Sequence, residues 1–175
     1  GPGDDARLFP AQFAPAPMRL LRNNRDGTFT DVTKGARLDG TGHAVAIVPT
    51  DIDNRRDVDL LVVNADAPPV LFANQRDGTF KDIAADVGLR AAPPPGSLFT
   101  AAAAGDLNKD DWPDLFLGAT GAGVLALSDG RGRFTVTPAP SGSESATAVQ
   151  IVDYDADGLL DLVAWSANAP RVLRN

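Results

Sequence analysis

The sequence predicts an all-β protein made of a repeated four-stranded antiparallel unit, and three observations predict it. Of the 23 acidic residues, 22 are aspartate and only Glu144 is glutamate, whereas helices favour glutamate and aspartate is typical of turns. The chain also holds 17 glycines and 14 prolines, which are turn residues. Short apolar runs recur between these turns, and no stretch has sustained helical periodicity.

The repeated unit is about 50 residues long. Arg25–Phe29 recurs as Arg76–Phe80, and 129–134 is a looser copy. We divide the chain into an extended arm that starts with a tag remnant, a partial two-stranded unit, and three further units, of which the last is incomplete. These segments are residues 1–17, 18–42, 43–92, 97–140 and 144–175. Pro93–Gly96 is too rich in proline for a strand and is predicted to link two units.

Four strands are predicted in each complete unit. The first strands are 44–48, 98–104 and 146–152, and the second are 60–63, 115–117 and 162–165. The third begin at Val70, Val124 and Val172, and the fourth are 79–83 and 133–137. The partial unit contributes strands 18–22 and 28–32. The Asp-Gly-Thr sequence between the third and fourth strands predicts a hairpin turn with a left-handed glycine.

Length and composition exclude several classes of function. The chain of 175 residues has the length of one domain and carries a net charge of −7, which disfavours a nucleic-acid partner. No apolar run approaches the roughly 18 residues of a membrane-spanning helix. The absence of cysteine and the presence of a single histidine, His43, exclude thiol catalysis and sites with several histidine ligands.

An aspartate-rich loop separates the first and second strands of each unit. In the third loop, oxygen donors stand at positions 1, 3, 5 and 9, and glycine stands at position 6. Hard oxygen donors at this density are typical of Ca²⁺ sites. The donors are Asp153, Asp155, Asp157 and Asp161, and Leu159 can add its main-chain carbonyl at position 7.

The second loop has the same donor pattern, and the first departs from it. The second offers Asp106, Asn108, Asp110 and Asp114, with the carbonyl of Trp112, and Asp111 at position 6 tolerates the left-handed conformation. The first offers Asp51, Asp53 and Asp59, but arginines occupy positions 5 and 6. We expect Arg55 to place its guanidinium where a metal would lie, so the loops predict about two Ca²⁺ per chain.

Two alternatives compete with this calcium-loop interpretation. An EF-hand needs a glutamate at position 12, where this chain has Val62, Leu117 and Ala164, and it needs a helix afterwards, so that alternative fails. Metal-free Asx-turns remain the alternative for each loop.

The D-x-D-x-D-G-x-x-D-L loop and the N-x-x-D-G-T-F turn resemble those of the FG-GAP or VCBS repeat over about residues 18–175. Such repeats form the blades of integrin α-subunit-like β-propellers, and the turns look most like those of bacterial multidomain proteins. The resemblance implies a fragment of a β-propeller with about three four-stranded blades plus two N-terminal strands. It implies metal-ligand roles for the donors of the second and third loops, and less clearly for those of the first.

The resemblance also implies a function. It favours a non-enzymatic calcium-binding module for protein or glycan interaction, or adhesion, in a larger protein that is secreted, periplasmic or at the cell surface. Alternatives are a glycan-binding propeller, with Trp112 and Trp165 as candidate sugar platforms, and a propeller-based hydrolase or lyase. His43 is predicted to be a partly buried residue at the end of a strand. Because a closed propeller usually has four to eight blades, two copies of this chain could pair through their open edges.

Overall fold

The computed structural model describes residues 10, 12–90, 92–167 and 169–175. In these residues there are 15 β-strands and no α-helix, so the predicted all-β class is confirmed. No helix in this part of the chain is long and apolar enough to cross a membrane. The predicted tag remnant and most of the predicted arm lie outside the described residues.

The strands in chain order are β1 (Ala16–Pro17), β2 (Leu21–Asn23), β3 (Phe29–Asp31), β4 (Thr41–Gly42), β5 (Ala44–Thr50), β6 (Asp59–Asn64), β7 (Val70–Asn74), β8 (Phe80–Asp82), β9 (Phe99–Gly105), β10 (Asp114–Ala119), β11 (Val124–Ser128), β12 (Phe134–Pro138), β13 (Ala148–Val152), β14 (Asp161–Trp165) and β15 (Pro170–Leu173).

The sheets are antiparallel, and within each blade the strands follow one another in chain order. Strands β5 to β8 and β9 to β12 form two four-stranded sheets, and β13 to β15 form a three-stranded sheet. Strands β2 and β3 form the predicted N-terminal hairpin. The structure is therefore a partial β-propeller, as predicted. The short pair β1–β4 was not predicted, and it joins the end of the predicted arm to residues 41–42.

The second strands begin one residue earlier than predicted, at the position-9 aspartate of each loop. Asp59 pairs with Thr50, Asp114 with Gly105, and Asp161 with Val152. The pairing of the first and second strands thus extends up to the loop, because the position-9 carboxylate accepts hydrogen bonds from backbone N–H groups. The first predicted N-terminal strand, 18–22, is shorter and shifted to 21–23, and the second, 28–32, is shortened to 29–31.

The second strands form the centre of the core. Leu61 and Val63 in β6, and Leu115 and Leu117 in β10, are completely buried, because neighbouring blades cover both faces of these strands. The first strands lie side by side, with β9 between β5 and β13. A Cβ atom at Gly105 would lie 2.7 Å from Cγ2 of Ile151, so the small residues of β9 permit this close approach.

A segment after the fourth strand of one blade binds the fourth strand of the next. The N–H of Phe134 donates to the carbonyl of Val87 at 2.7 Å, and the N–H of Phe80 donates to that of Ala36 at 2.9 Å. Val87 and Ala36 are buried in the two hydrophobic clusters. These segments fill the gaps between successive blades and fix the relative positions of the loops.

Candidate metal centres

The three acidic loops connect the first and second strands of successive blades. The first loop is residues 51–59 between β5 and β6, the second is 106–114 between β9 and β10, and the third is 153–161 between β13 and β14. Equivalent positions are numbered 1 to 9 within each loop. All three loops therefore lie at the same end of their blades.

The position-1 aspartate folds each loop over its own side chain. The two carboxylate oxygens of Asp51 accept the N–H groups of Arg55 and Arg56 at 3.0 and 2.8 Å. Equivalent bonds join Asp106 to residues 110 and 111, and Asp153 to residues 157 and 158. Position 1 thus stabilises the turn whatever residues occupy positions 5 and 6.

The position-9 aspartate ties each loop to the end of the third strand. In the first loop, the carboxylate of Asp59 accepts the N–H groups of Ile52 at 2.9 Å and Asn74 at 2.7 Å. Asp114 binds Leu107, Asn108 and Ser128 in this way, and Asp161 binds Tyr154 and Asn175. All three aspartates are 0% exposed. Burial raises the pKa of Asp59 and Asp114, and the backbone hydrogen bonds oppose that rise.

Positions 4 and 6 are left-handed in every loop. Position 6 has φ values of 64° at Arg56, 69° at Asp111 and 84° at Gly158, which confirms the expectation for Asp111. Position 4 was not predicted to be left-handed, and its φ values are 53° at Asn54, 60° at Lys109 and 59° at Ala156. Since Arg56 adopts the same conformation as Gly158, the first loop retains the backbone of the others.

The third loop brings three of its four predicted carboxylates together. Asp153, Asp155 and Asp161 each place an oxygen within 4.8 Å of the other two. Both oxygens of Asp157 are engaged elsewhere: one accepts the N–H of Leu159 at 2.9 Å, and the other accepts a guanidinium N–H of Arg174 at 2.8 Å. Nε of Arg174 also lies 2.9 Å from Asp155. The carbonyl role predicted for Leu159 stays a prediction.

The second loop keeps its donors in local hydrogen bonds. Of the two groups of converging acidic side chains in the described residues, neither lies in this loop. Nδ2 of Asn108 donates to Asp110 at 3.0 Å, and the N–H of Trp112 donates to the other oxygen of Asp110 at 2.9 Å. The ligand roles predicted for the second loop therefore stay predictions.

The first loop brings together four carboxylates, one of which the sequence analysis missed. Asp51, Asp53, Asp57 and Asp59 each place an oxygen within 4.8 Å of the others. Asp57 stands at position 7, where the second and third loops were expected to offer only a main-chain carbonyl. An aspartate at position 7 of the loop that lacks a donor at position 5 was the available signal.

The predicted ion pair of Arg55 is present in the first loop, and a second arginine pairs with the same cluster of carboxylates. Nε of Arg55 lies 2.5 Å from Oδ2 of Asp53, and Nε of Arg76 lies 2.5 Å from Oδ2 of Asp57. The Oδ1 atoms of Asp53 and Asp57 are buried and have no hydrogen-bond partner among the described residues. Buried, unpaired carboxylate oxygens fit a hard cation such as Ca²⁺.

His43 lies between β4 and β5, as a partly buried residue at a strand end. Its Nδ1 is 2.9 Å from Oδ2 of Asp66, and its Nε2 is 2.9 Å from the carbonyl oxygen of Phe13. The Phe13 carbonyl, together with Asp66, raises the pKa of His43, and burial opposes that rise. The ring thus holds residue 13 against the blade, in agreement with the structural role expected of it.

A comparison with protein-family models finds the FG-GAP-like repeat at residues 51–117 and 106–164. Each match contains two consecutive acidic loops and the strands between them. No curated protein matches the chain. The two family matches together cover more than half of the sequence, and the chain therefore belongs to the family of FG-GAP-like repeat proteins.

Proposed function

We propose that this chain is a calcium-stabilised, non-enzymatic interaction module. The observation that carries the proposal is the convergence of Asp153, Asp155 and Asp161 in the third loop of an FG-GAP-like repeat. Ca²⁺ prefers six to eight oxygen ligands, drawn from carboxylates, carbonyls and water. The third loop offers these three carboxylates, with Asp157 and the carbonyl of Leu159 nearby in the chain.

Electrostatics supports a cation at this loop. Two like charges about 4 Å apart repel by about 1 kcal/mol in water and by about 4 kcal/mol near a protein surface. Arg174 offers one positive charge and contacts Asp155 and Asp157 from a side chain that is 60% exposed. It makes no ion pair with Asp153 or Asp161 among the described residues. A bound Ca²⁺ would relieve the remaining repulsion and would stabilise the folded chain by mass action.

Calorimetric titration of calcium into chelator-stripped protein tests the proposal. Asp155→Ala is the sharpest variant, because Asp155 makes no backbone hydrogen bond in the described residues and its loss leaves the loop backbone intact. We expect this variant to lose one binding site. Asp86→Ala is the matched control, because Asp86 is an exposed aspartate outside the loops. Absence of binding heat in a folded wild-type protein would refute the proposal.

The proposal includes an extracytoplasmic location and a protein or glycan ligand. Millimolar calcium occurs outside the cytoplasm and suits calcium-binding loops of modest affinity. A glycan array distinguishes the two ligand classes, with Trp165→Ala as the variant, because Trp165 is 37% exposed in β14. Trp112 is a weaker candidate, since a Cβ at Gly130 would lie 3.1 Å from its indole ring. Pairing of two copies stays a prediction, for which sedimentation analysis is the test.

A further inference from the structure

A polar cavity beside the first complete blade is a candidate ligand site outside the acidic loops. The cavity has a volume of about 330 Å³, within the range of about 300–1,000 Å³ that is typical of small-molecule sites. It lies between residues 37–42, which include β4, and the strands β6, β7 and β8. We infer that this cavity binds one neutral sugar unit of a glycan, and the inference rests on the glycan-binding form of the proposed function.

Asn64, the last residue of β6, is the observation on which the inference depends. It lines the cavity and is 8% exposed. Its side-chain amide has no hydrogen-bond partner among the described residues. A buried amide without a partner lowers stability, and such groups in folded proteins need a physical reason. A ligand with hydroxyl groups would supply the missing partners from within the cavity.

The next blade shows that the fold does not require an asparagine at this position. Asn64 is the sixth residue of β6, and the sixth residue of β10 is Ala119, which is completely buried. Gly42 makes room for the larger side chain, because a Cβ atom at Gly42 would overlap Oδ1 of Asn64. The first blade therefore has a polar side chain, and the space for it, where the second blade has a buried alanine.

Arg37 is a second residue of the cavity that the backbone does not explain. Its N–H donates to the carbonyl of Lys34, and the N–H of Gly88 donates to that of Ala85 in the equivalent segment after β8. Both residues are left-handed, with φ values of 59° at Arg37 and 81° at Gly88, and this conformation favours glycine over arginine. The guanidinium makes no ion pair in the part of the chain that the structure describes, so it is available to donate to a ligand.

The polar groups of the cavity favour a ligand that both donates and accepts hydrogen bonds. Asp39 and Asp82 offer carboxylate oxygens, which only accept, whereas Arg37 only donates and the amide of Asn64 does both. One oxygen of Asp82 accepts the N–H of Ala84 at 2.9 Å, which leaves the other for a ligand. Two carboxylates disfavour an anion, and a cation would leave the N–H groups unpaired. The hydroxyl groups of a sugar satisfy donors and acceptors alike.

Apolar side chains form the rest of the cavity wall. Val62 and Phe72 line it, are buried, and belong to one hydrophobic cluster, against which Met18 and Val70 pack. Small-molecule sites commonly combine an apolar wall with a few polar groups that fix orientation. The C–H face of a pyranose ring fits such a wall while its hydroxyl groups face the polar side chains.

Saturation-transfer NMR on the full chain tests the inference, and calorimetry measures Kd. The probes are the methyl glycosides of glucose, galactose, mannose and N-acetylglucosamine, in which the methyl group stands for the rest of a glycan. We expect at least one of them to bind in the millimolar range. Asn64→Ala copies Ala119, and Arg37→Gly copies Gly88, and each should weaken binding at least about tenfold by removing hydrogen bonds to the sugar.

Thermal unfolding distinguishes a binding role from a structural one. Asn64→Ala removes a buried amide without a partner, and Arg37→Gly relieves a left-handed arginine, so both variants should be at least as stable as the wild type. Asn24→Ala is the matched control, because Asn24 is an exposed asparagine that does not line the cavity. Its Kd for the glycoside should equal that of the wild type.

The outcomes separate the inference from the proposed function. If none of the four glycosides binds, or if one binds wild type and both cavity variants with equal Kd, the inference is wrong. Calcium calorimetry on the same protein then decides the proposed function independently. If a glycoside binds, both variants weaken it and the folded wild type gives no calcium heat, the cavity assignment holds and the calcium-stabilised function fails.

Discussion

The first and second acidic loops have the same backbone conformation and differ in the contacts that their side chains make. In both, the aspartates at positions 1 and 9 accept backbone N–H groups, and positions 4 and 6 are left-handed. The second loop keeps the regular donor pattern but holds Asp110 in local hydrogen bonds. The first loop has lost that pattern and brings four carboxylates together. The loop backbone is therefore stabilised by positions 1 and 9, and this leaves positions 3, 5 and 7 free to vary.

The largest effect is expected at position 9, where the two loops are alike. Asp59→Ala and Asp114→Ala should each destabilise the calcium-free protein by about 3–5 kcal/mol, because each leaves buried N–H groups unsatisfied. Urea unfolding in chelator measures both. Asp86→Ala, on the exposed surface, should stay within about 0.5 kcal/mol of the wild type. A large loss of stability in only one of the two variants would mean that position 9 does not stabilise both loops in the same way.

Bound calcium should stabilise a loop beyond the stability that the common backbone conformation provides. At a free calcium concentration about 100 times Kd, each occupied loop gains about 2.7 kcal/mol. We expect Asp155→Ala to lose the gain of the third loop. Thermal unfolding with and without calcium measures the gain. An equal calcium-dependent gain in the wild type and in Asp155→Ala would place the stabilising ion elsewhere.

Substitutions at position 6 should change the free energy of unfolding by a smaller amount. Arg56→Gly should stabilise the chain by about 1 kcal/mol and Asp111→Gly by about 0.5 kcal/mol, because glycine adopts the left-handed conformation without cost and aspartate tolerates it better than arginine. The reverse change, Gly158→Ala in the third loop, should destabilise by about 1 kcal/mol. Chemical unfolding in chelator measures all three, and a destabilising Arg56→Gly would show that the arginine side chain stabilises the first loop.

The smallest effect concerns aspartates that lie outside the loops, in the hairpin turns. The Thr79 hydroxyl and N–H groups donate to Asp77 and lower the pKa of its carboxyl. A folded-state pKa below the unfolded value stabilises the protein above about pH 4, and this contribution is lost as pH falls through the folded-state pKa. Asp77→Asn should therefore reduce the loss of stability between neutral and acidic pH, as measured by urea midpoints. An identical pH profile in the variant would contradict this cause.

Much of the fold was predictable because local patterns determine it. The repeat, the glycine turns and the continuous apolar runs of β6 and β10 predict the strands of the blades and their order, and the family match agrees with them. The pairing of residues 16–17 with 41–42 was not predictable, since two-residue strands carry no periodicity. Strand starts at Asp59, Asp114 and Asp161 were missed because backbone hydrogen bonds from distant residues extend the ladder to these polar side chains.

The sequence by itself determined the all-β class, the repeat unit and the positions of the acidic loops, because turn residues and apolar spacing act over short distances along the chain. Only the tertiary structure decided which carboxylates meet. Arg76 pairs with Asp57 of the first loop from 19 positions along the chain, and Arg174 binds Asp157 of the third loop from 17 positions along the chain. Such pairings depend on how strands place distant residues side by side, which no local spacing encodes.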